Sequence, residues 1–300
     1  MKYRRLGRTG LKVSVVGVGT WQFGGDWGKD FAQSEVDAML GRAFELGINL
    51  IDTAECYGPG RLSESLIGSF LKGRRRADWV IATKFGHVPG WKPDEVRRQL
   101  EDSLRALGTE YVDLYQFHSG TDSEFRTPGL WEMLSEQVKA GKVRFLGISI
   151  GSSDNLYQTD AATGLGASAI QVVYNRLDRT AQERVFPSCE RQDLGVLARV
   201  PLASGFWGGK YGADAKFPPN DVRSRRDRER IRETVRQVDE IKAKEVPRGV
   251  EMAQWALAWC LVHPAVTCAI PGCKSVQQIE SNAAAADLDM VPEDHRQAWR

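Results

Sequence analysis

The feature that most constrains this chain is an alternation. Eight short apolar runs each precede a stretch with helical periodicity. The runs are Val15–Gly19, Asn49–Asp52, Val80–Lys84, Val112–His118, Val143–Ser149, Ala169–Tyr174, Gly195–Val200 and Val266–Ile270. The predicted helices between and after them are Ser34–Leu46, Ser63–Leu71, Pro93–Leu107, Leu130–Ala140, Ser153–Thr163, Gln182–Gln192, Val250–Val262 and Val276–Ala285. In the first helix Val36, Met39, Leu40, Ala43 and Phe44 recur near i, i+3, i+4, i+7 and i+8, and Gly47 stops it. Pro93 opens another helix and Gly108 follows its end. Eight βα units in 300 residues predict a (β/α)8 (TIM) barrel, one α/β domain over 1–300, rather than an open doubly wound sheet. Two segments fall outside the repeat. Tyr3–Leu6 and Leu11–Val13 flank Gly7-Arg8-Thr9-Gly10 and predict an N-terminal hairpin capping the bottom of the barrel. A long connection, 201–225, follows strand seven and leads into a charged stretch, Arg223 to Lys244.

Composition narrows the class. With 42% hydrophobic residues the chain buries a sizeable core, and a net charge of +2 points to neither nucleic acid nor acidic membranes. Arg223–Arg236 is interleaved with Asp227, Glu229 and Glu233 and reads as a solvated helix face. The five cysteines, Cys56, Cys189, Cys260, Cys268 and Cys273, form no Cys-x-x-Cys, so spacing indicates neither a disulfide framework nor a metal site. The N-terminus lacks an apolar signal region and no run of about 18 apolar residues occurs, so no membrane span and a reducing cytoplasmic location are expected.

Four residues carry the chemistry. Asp52, Lys84 and His118 end three successive strand-like runs, and Tyr57 follows Asp52 in the same loop. Any one charged residue at a strand end reads equally well as a solvated cap or an ion pair. Three on adjacent strands, all at the catalytic rim of a barrel, read as a site. An acid, a phenol, an amine and an imidazole suit proton transfer to a carbonyl oxygen. Tyrosine, with an ordinary pKa near ~10, is a poor donor at neutral pH unless an ammonium favours its ionised form. Asp52 would hold that ammonium, and His118 would orient the carbonyl or share the proton. No side chain supplies hydride.

The segment Gly47-Ile48-Asn49-Leu50-Ile51-Asp52-Thr53-Ala54-Glu55-Cys56-Tyr57-Gly58 resembles the signature of the aldo-keto reductases. The likeness continues through Ser63-Glu64-Ser65-Leu66-Ile67-Gly68, Thr83-Lys84, Asp113 to His118, Gly141 to Ser149, Gln171 to Asn175 and Pro201 to Gly205. It implies NADP(H) bound in extended form without a Rossmann motif, and the lone Gly17-Val18-Gly19 lacks that motif's third glycine. It also implies Tyr57 as general acid, with Asp52, Lys84 and His118 completing a tetrad, and Trp21, Tyr57 and His118 against the substrate. Gly19, Thr20 and Trp21 would line the cofactor beside Asp52. Ser149 and Gln171 would bind the nicotinamide carboxamide. Pro201, Leu202, Ala203 and Gly205 would pass under the pyrophosphate, with Lys210 as a phosphate contact. Gly272, Lys274, Gln278 and Asn282 would form the adenosine-phosphate site, where Lys274 favours NADPH over NADH. Gly272 lets backbone approach a phosphate, and Ser275 caps a helix whose N-terminus attracts anions.

Five positions depart from the commonest pattern. Arg199 stands where many members have an aromatic against the nicotinamide, and a guanidinium plane stacks too. Ser119-Gly120 replaces Trp-Pro, Ile150 an Asn, and Ser281 an acidic residue. Cys56 reads as a small packed residue, and Trp21, Trp27, Trp91 and Trp207 as either pocket walls or packing. The expectation is an NADPH-dependent reductase of a small-molecule aldehyde or ketone, reversible toward alcohol oxidation. A cofactor-sensing subunit similar to potassium-channel β-subunits is the main alternative, disfavoured by the lack of an N-terminal extension. A non-redox barrel isomerase or lyase is a third.

Overall fold

The computed structural model describes residues 1–299. A two-stranded hairpin comes first, with β1 (Tyr3–Arg5) antiparallel to β2 (Lys12–Ser14). Eight strands then pair in parallel and in chain order. They are β3 (Val18–Gly19), β4 (Leu50–Asp52), β5 (Val80–Phe85), β6 (Val112–His118), β7 (Val143–Ser149), β8 (Ala167–Val173), β9 (Gly195–Arg199) and β10 (Cys268–Ala269). The first and last edges meet. Gly17 donates its N–H to the Ala269 carbonyl at 2.9 Å and Gly19 to the Pro271 carbonyl at 2.9 Å, so the sheet closes into a barrel.

The helices are α1 (Gln33–Glu45), α2 (Leu62–Leu71), α3 (Pro93–Leu107), α4 (Asp122–Phe125), α5 (Leu130–Lys139), α6 (Leu156–Ala161), α7 (Val185–Arg191), α8 (Arg228–Glu245), α9 (Met252–Val262) and α10 (Val276–Ala284). Most edges match the sequence pattern, and the differences have local causes. Helix α6 starts at Leu156 rather than Ser153 because Asn155 caps it, its side chain accepting the Gln158 N–H at 2.9 Å. Helix α7 starts at Val185 rather than Gln182, which puts Pro187 in its first turn, where the missing N–H costs nothing. The outer barrel strands β3 and β10 are regular over only two residues each, fewer than their apolar runs. The charged stretch contains α8, which buries Ile231, Val235 and Val238 against Phe206, Trp207 and Trp255.

Alternation along the strands separates two cores. Ile51, Ile81, Tyr115, Phe117, Ile148 and Ile170 belong to the layer that also holds the buried faces of the helices. Leu50, Val80, Ala82, Leu114, Ala169 and Leu197 cluster inside the barrel. The hairpin plugs that interior with Leu6, Leu11 and Val13. Gly7 makes the plug possible: at φ +49° it lies so near β9 that a Cβ would sit 2.0 Å from the Gly195 nitrogen. The C-terminal segment closes the same end. Arg5 donates its N–H to the Gln297 carbonyl at 2.7 Å, and the buried Arg4 guanidinium donates to the carbonyls of Val266 and Leu261.

His295 lies in this closed end, its Nδ1 accepting the Gln297 N–H at 3.1 Å. Burial, with Arg4 adding repulsion, lowers its pKa to about 3. Between that value and the unfolded value near ~6.5, the unfolded chain takes up a proton that the folded chain refuses. Stability is therefore complete above about pH 6.5 and declines as pH falls below it. Urea unfolding midpoints should drop between pH 7 and pH 5, and less so in His295→Asn; equal slopes would contradict this.

Candidate active site

The inward face of the barrel changes character along its axis. Inward positions on β4 run from Leu50 to Asp52, on β5 from Val80 through Ala82 to Lys84, and on β6 from Leu114 through Gln116 to His118. On β8 Ala169 gives way to Gln171, and on β9 Leu197 to Arg199. The period of two that fills the bottom with aliphatic side chains thus delivers polar ones to the C-terminal rim. Gly147 on β7 leaves the room they need: a Cβ there would come within 3.0 Å of Gln116 Cγ.

Lys84 is fully buried and donates to Asp52 Oδ2 at 2.7 Å, to the Thr53 carbonyl at 2.6 Å and to the Tyr57 hydroxyl at 3.3 Å. Asp52, 3% exposed, accepts on its other oxygen from Gln171 at 2.7 Å and Gln116 at 3.3 Å. Burial works against the Lys84 ammonium, but Asp52 and then Tyr57 outweigh it, and its pKa stands above the ordinary lysine value. Tyr57 departs from expectation. Burial raises its pKa more than Lys84 lowers it, so the phenol is protonated throughout the neutral range. Lys84 acts instead by limiting that rise and by holding the hydroxyl in place.

His118 is buried, and burial, helped by Lys84, His87 and Arg199, depresses its pKa well below the ordinary value. Its ring stands nearly perpendicular to that of Tyr57, centroids 6.0 Å apart, with no hydrogen bond between them. Sharing of the proton between the two is thus not set up directly. Nδ1 lies 3.7 Å from Cys56 Sγ.

Above these residues opens a cleft of about 990 Å³, near the upper end of small-molecule sites. Gly19, Thr20, Trp21, Asp52, Tyr57, His118, Gln171, Arg199, Pro201, Leu202, Gly205, Lys210, Gly272, Lys274, Gln278 and Asn282 all line it. Lys84, Ser149 and Ala203 do not line it; Lys84 touches two residues that do, Asp52 and Tyr57. The Ser149 hydroxyl is buried without a partner. Arg199 donates to the Ile150 carbonyl at 3.2 Å, and its Nε has no partner. The turn after β9 holds Val200, Ala203 and Ser204 at positive φ, a strained backbone of the kind that clusters at functional sites. Helix α10 aims its N-terminus here, with Ser275 Oγ accepting the Gln278 N–H at 3.3 Å. Ser281 donates to Glu251 at 2.7 Å, so a carboxylate reaches this region from another element.

The four tryptophans divide. Trp21 and Trp27 line the cleft, and Trp21 stacks over Tyr57 with centroids 6.0 Å apart. Trp91 packs edge-on against Phe85, and Trp207 is buried against Trp255. Gly120 is required by its neighbour, because a Cβ would sit 2.3 Å from the Phe117 ring.

Arg223 corrects the reading of 223–236 as a solvated face. It lies before α8, is 4% exposed, pairs with Asp221 at 2.6 Å and lines the cleft. Its guanidinium packs over Phe217, with the centroid 4.2 Å away. Nearby, Val222 donates its N–H to the Asp26 carbonyl at 2.8 Å, and Lys274 donates to the Trp27 carbonyl. The connection after β9 and the loop after β3 are therefore stitched together over the cleft. Asp221 and Arg223 carry no periodicity that sequence reading detects. Gln116 was within reach, as the inward position between Leu114 and His118.

Asp52→Asn would leave the Lys84 ammonium buried without a counter-charge. Breaking a buried pair from one side costs ~3–5 kcal/mol. Urea denaturation should show a loss of that order, and a loss below about 1 kcal/mol would contradict the pairing.

Residues 15–298 match the aldo/keto reductase family. The chain is 33% identical over 315 residues to the uncharacterized oxidoreductase YrpG of Bacillus subtilis, covering 98% of this chain and 93% of that protein. It is 35% identical over 300 residues to an uncharacterized oxidoreductase of Mycobacterium tuberculosis strain H37Rv, covering 97% and 89%. Among solved structures it is similar to the holo form of the aldo-keto reductase AKR11C1 from Bacillus halodurans, with a TM-score of 0.77 and 28% identity, covering 99% and 94%.

Proposed function

The chain belongs to the aldo/keto reductase family and is an oxidoreductase, and from that premise we propose that it is an NADPH-dependent reductase of aldehydes or ketones, reversible toward alcohol oxidation. The observation that carries this reading is the Tyr57 hydroxyl on the cleft wall, 3.3 Å from an ammonium that is itself 2.7 Å from Asp52. A protonated phenol held in that way is a proton donor for a carbonyl oxygen. A nicotinamide cofactor, when bound, supplies the hydride.

The chain's own residues fit such a cofactor. The buried, unpartnered Ser149 hydroxyl and the neighbouring Gln171 amide are suited to an amide group. The backbone after β9 and the N-terminus of α10 are suited to phosphates. Tyr57 gives its proton as charge develops on the carbonyl oxygen, and Lys84, itself held by Asp52, stabilises the resulting tyrosinate. His118, neutral at physiological pH, hydrogen-bonds the carbonyl and fixes its direction. Trp21 and Trp27 exclude water on the open side. The cleft selects a small carbonyl compound as its partner.

Tyr57→Phe should abolish carbonyl reduction while keeping NADPH binding, followed by cofactor fluorescence and absorbance. Full reduction by that variant would contradict the assignment. The preference for NADPH rests on Lys274 at the start of α10. Lys274→Ala should raise the Kd for NADPH by about tenfold, ~1.4 kcal/mol, and leave NADH nearly unchanged. Equal weakening of both would remove Lys274 from 2′-phosphate recognition.

A further inference from the structure

Cys56, His87 and His118 follow or end three successive strands, β4, β5 and β6, and meet at one place on the cleft wall. One ligand atom from each lies within 4.8 Å of the other two. Cys56 Sγ and His118 Nδ1, 3.7 Å apart, have each other as their one polar contact among the described residues. The His87 imidazole has none among them; only its backbone N–H is used, donated to Glu55 at 3.4 Å. His118 is more than nine-tenths buried, with one face turned to the cleft. We propose that these three side chains form a binding site for a borderline divalent transition-metal cation, Zn²⁺ foremost, at the substrate end of the cleft.

The donor set selects the ion. One thiolate and two imidazoles suit Zn²⁺, whereas Ca²⁺ and Mg²⁺ need oxygen ligands that the cluster does not provide. The spacing fits as well. Zn–S near ~2.3 Å and Zn–N near ~2.0–2.1 Å set the edge of a tetrahedron at about 3.6 Å, against 3.7 Å between Cys56 Sγ and His118 Nδ1. His87, exposed at the start of its loop, closes the remaining gap by side-chain rotation. Three protein ligands leave a fourth position facing the cleft, open to water or to a substrate oxygen. Lys84 and Arg199 act electrostatically on His118 and oppose added positive charge. Binding meets that opposition by converting the Cys56 thiol to a thiolate, whose proton leaves to solvent while the Zn–S bond forms.

Occupation has a functional consequence that rests on the proposed reductase reading. A metal on His118 Nδ1 adds positive charge to the imidazole that orients the carbonyl and occupies the cleft wall where the substrate lies. Zn²⁺ is then a reversible inhibitor.

Co²⁺ titration of the reduced, chelator-treated full chain tests the site itself, because thiolate-to-cobalt charge transfer absorbs in the near ultraviolet. One Co²⁺ per chain should give that band, and Zn²⁺ should displace it. Cys56→Ser should abolish the band, and His87→Asn should weaken Co²⁺ binding by about tenfold or more. Absence of the band in the native chain, or native behaviour in either variant, would overturn the proposal. Zn²⁺ should inhibit carbonyl reduction, with recovery on adding EDTA. The half-inhibitory concentration should rise at least about tenfold in Cys56→Ser, and equal inhibition of both proteins would overturn the inhibitory role. A cobalt band in a chain that turns over no carbonyl would support the site and defeat the reductase reading instead.

Discussion

The buried pair between Lys84 and Asp52 is the interaction on which the rest of the site depends. An ammonium with no exposure to water is expensive unless its protons and its charge are met. Here the carboxylate meets the charge, and the Thr53 carbonyl and the Tyr57 hydroxyl take the other two protons. Asp52 in turn is held by two amides, Gln116 from β6 and Gln171 from β8 across the barrel. Four strands and one loop are thus fixed relative to one phenol. Tyr57 gains its orientation and its electrostatic support from the same contact.

That pair sits where it does because of a gradient inside the barrel. Aliphatic inward positions, sealed by Leu6, Leu11 and Val13 from the hairpin, make a dry floor. One or two steps farther along β4, β5, β6, β8 and β9 the inward positions turn polar. The dry floor keeps Lys84 and Asp52 out of water, and it is why Tyr57 and His118 are displaced from their ordinary pKa values in the direction of their neutral forms. The stitched loops above, anchored by Asp221 and Arg223, enclose the other side.

Much of this was legible in the sequence, for a physical reason. Barrel strands alternate with helices, so periodicity alone marks the ends of the strands, and a site residue at a strand end, such as Lys84 or His118, can be placed by counting. Tyr57 needed only the short loop after Asp52. The fine edges were less legible. Asn155 and Pro187 set where α6 and α7 begin, and apolar spacing carries no trace of either. Two kinds of site feature lay outside sequence reasoning. Arg223 sits amid arginines that face solvent, and only the fold of the connection after β9 turns it inward against Asp221. Cys56, His87 and His118 are each 31 residues from the next, and no spacing motif joins groups that the barrel brings together. The sign of the Tyr57 shift was also hidden, because it depends on how deeply the ring is buried and not on which residues are near.

The central claim is that hydride and proton reach one carbonyl group from two sources, with the proton coming from Tyr57. Single-turnover reaction of the enzyme, loaded with NADPH deuterated at the transferred position, against a panel of aldehydes and ketones tests it most directly. The account predicts an alcohol with one deuterium on its carbinol carbon for each cofactor oxidised. Unchanged cofactor with every carbonyl, or an alcohol whose carbinol hydrogen comes from solvent, would contradict it.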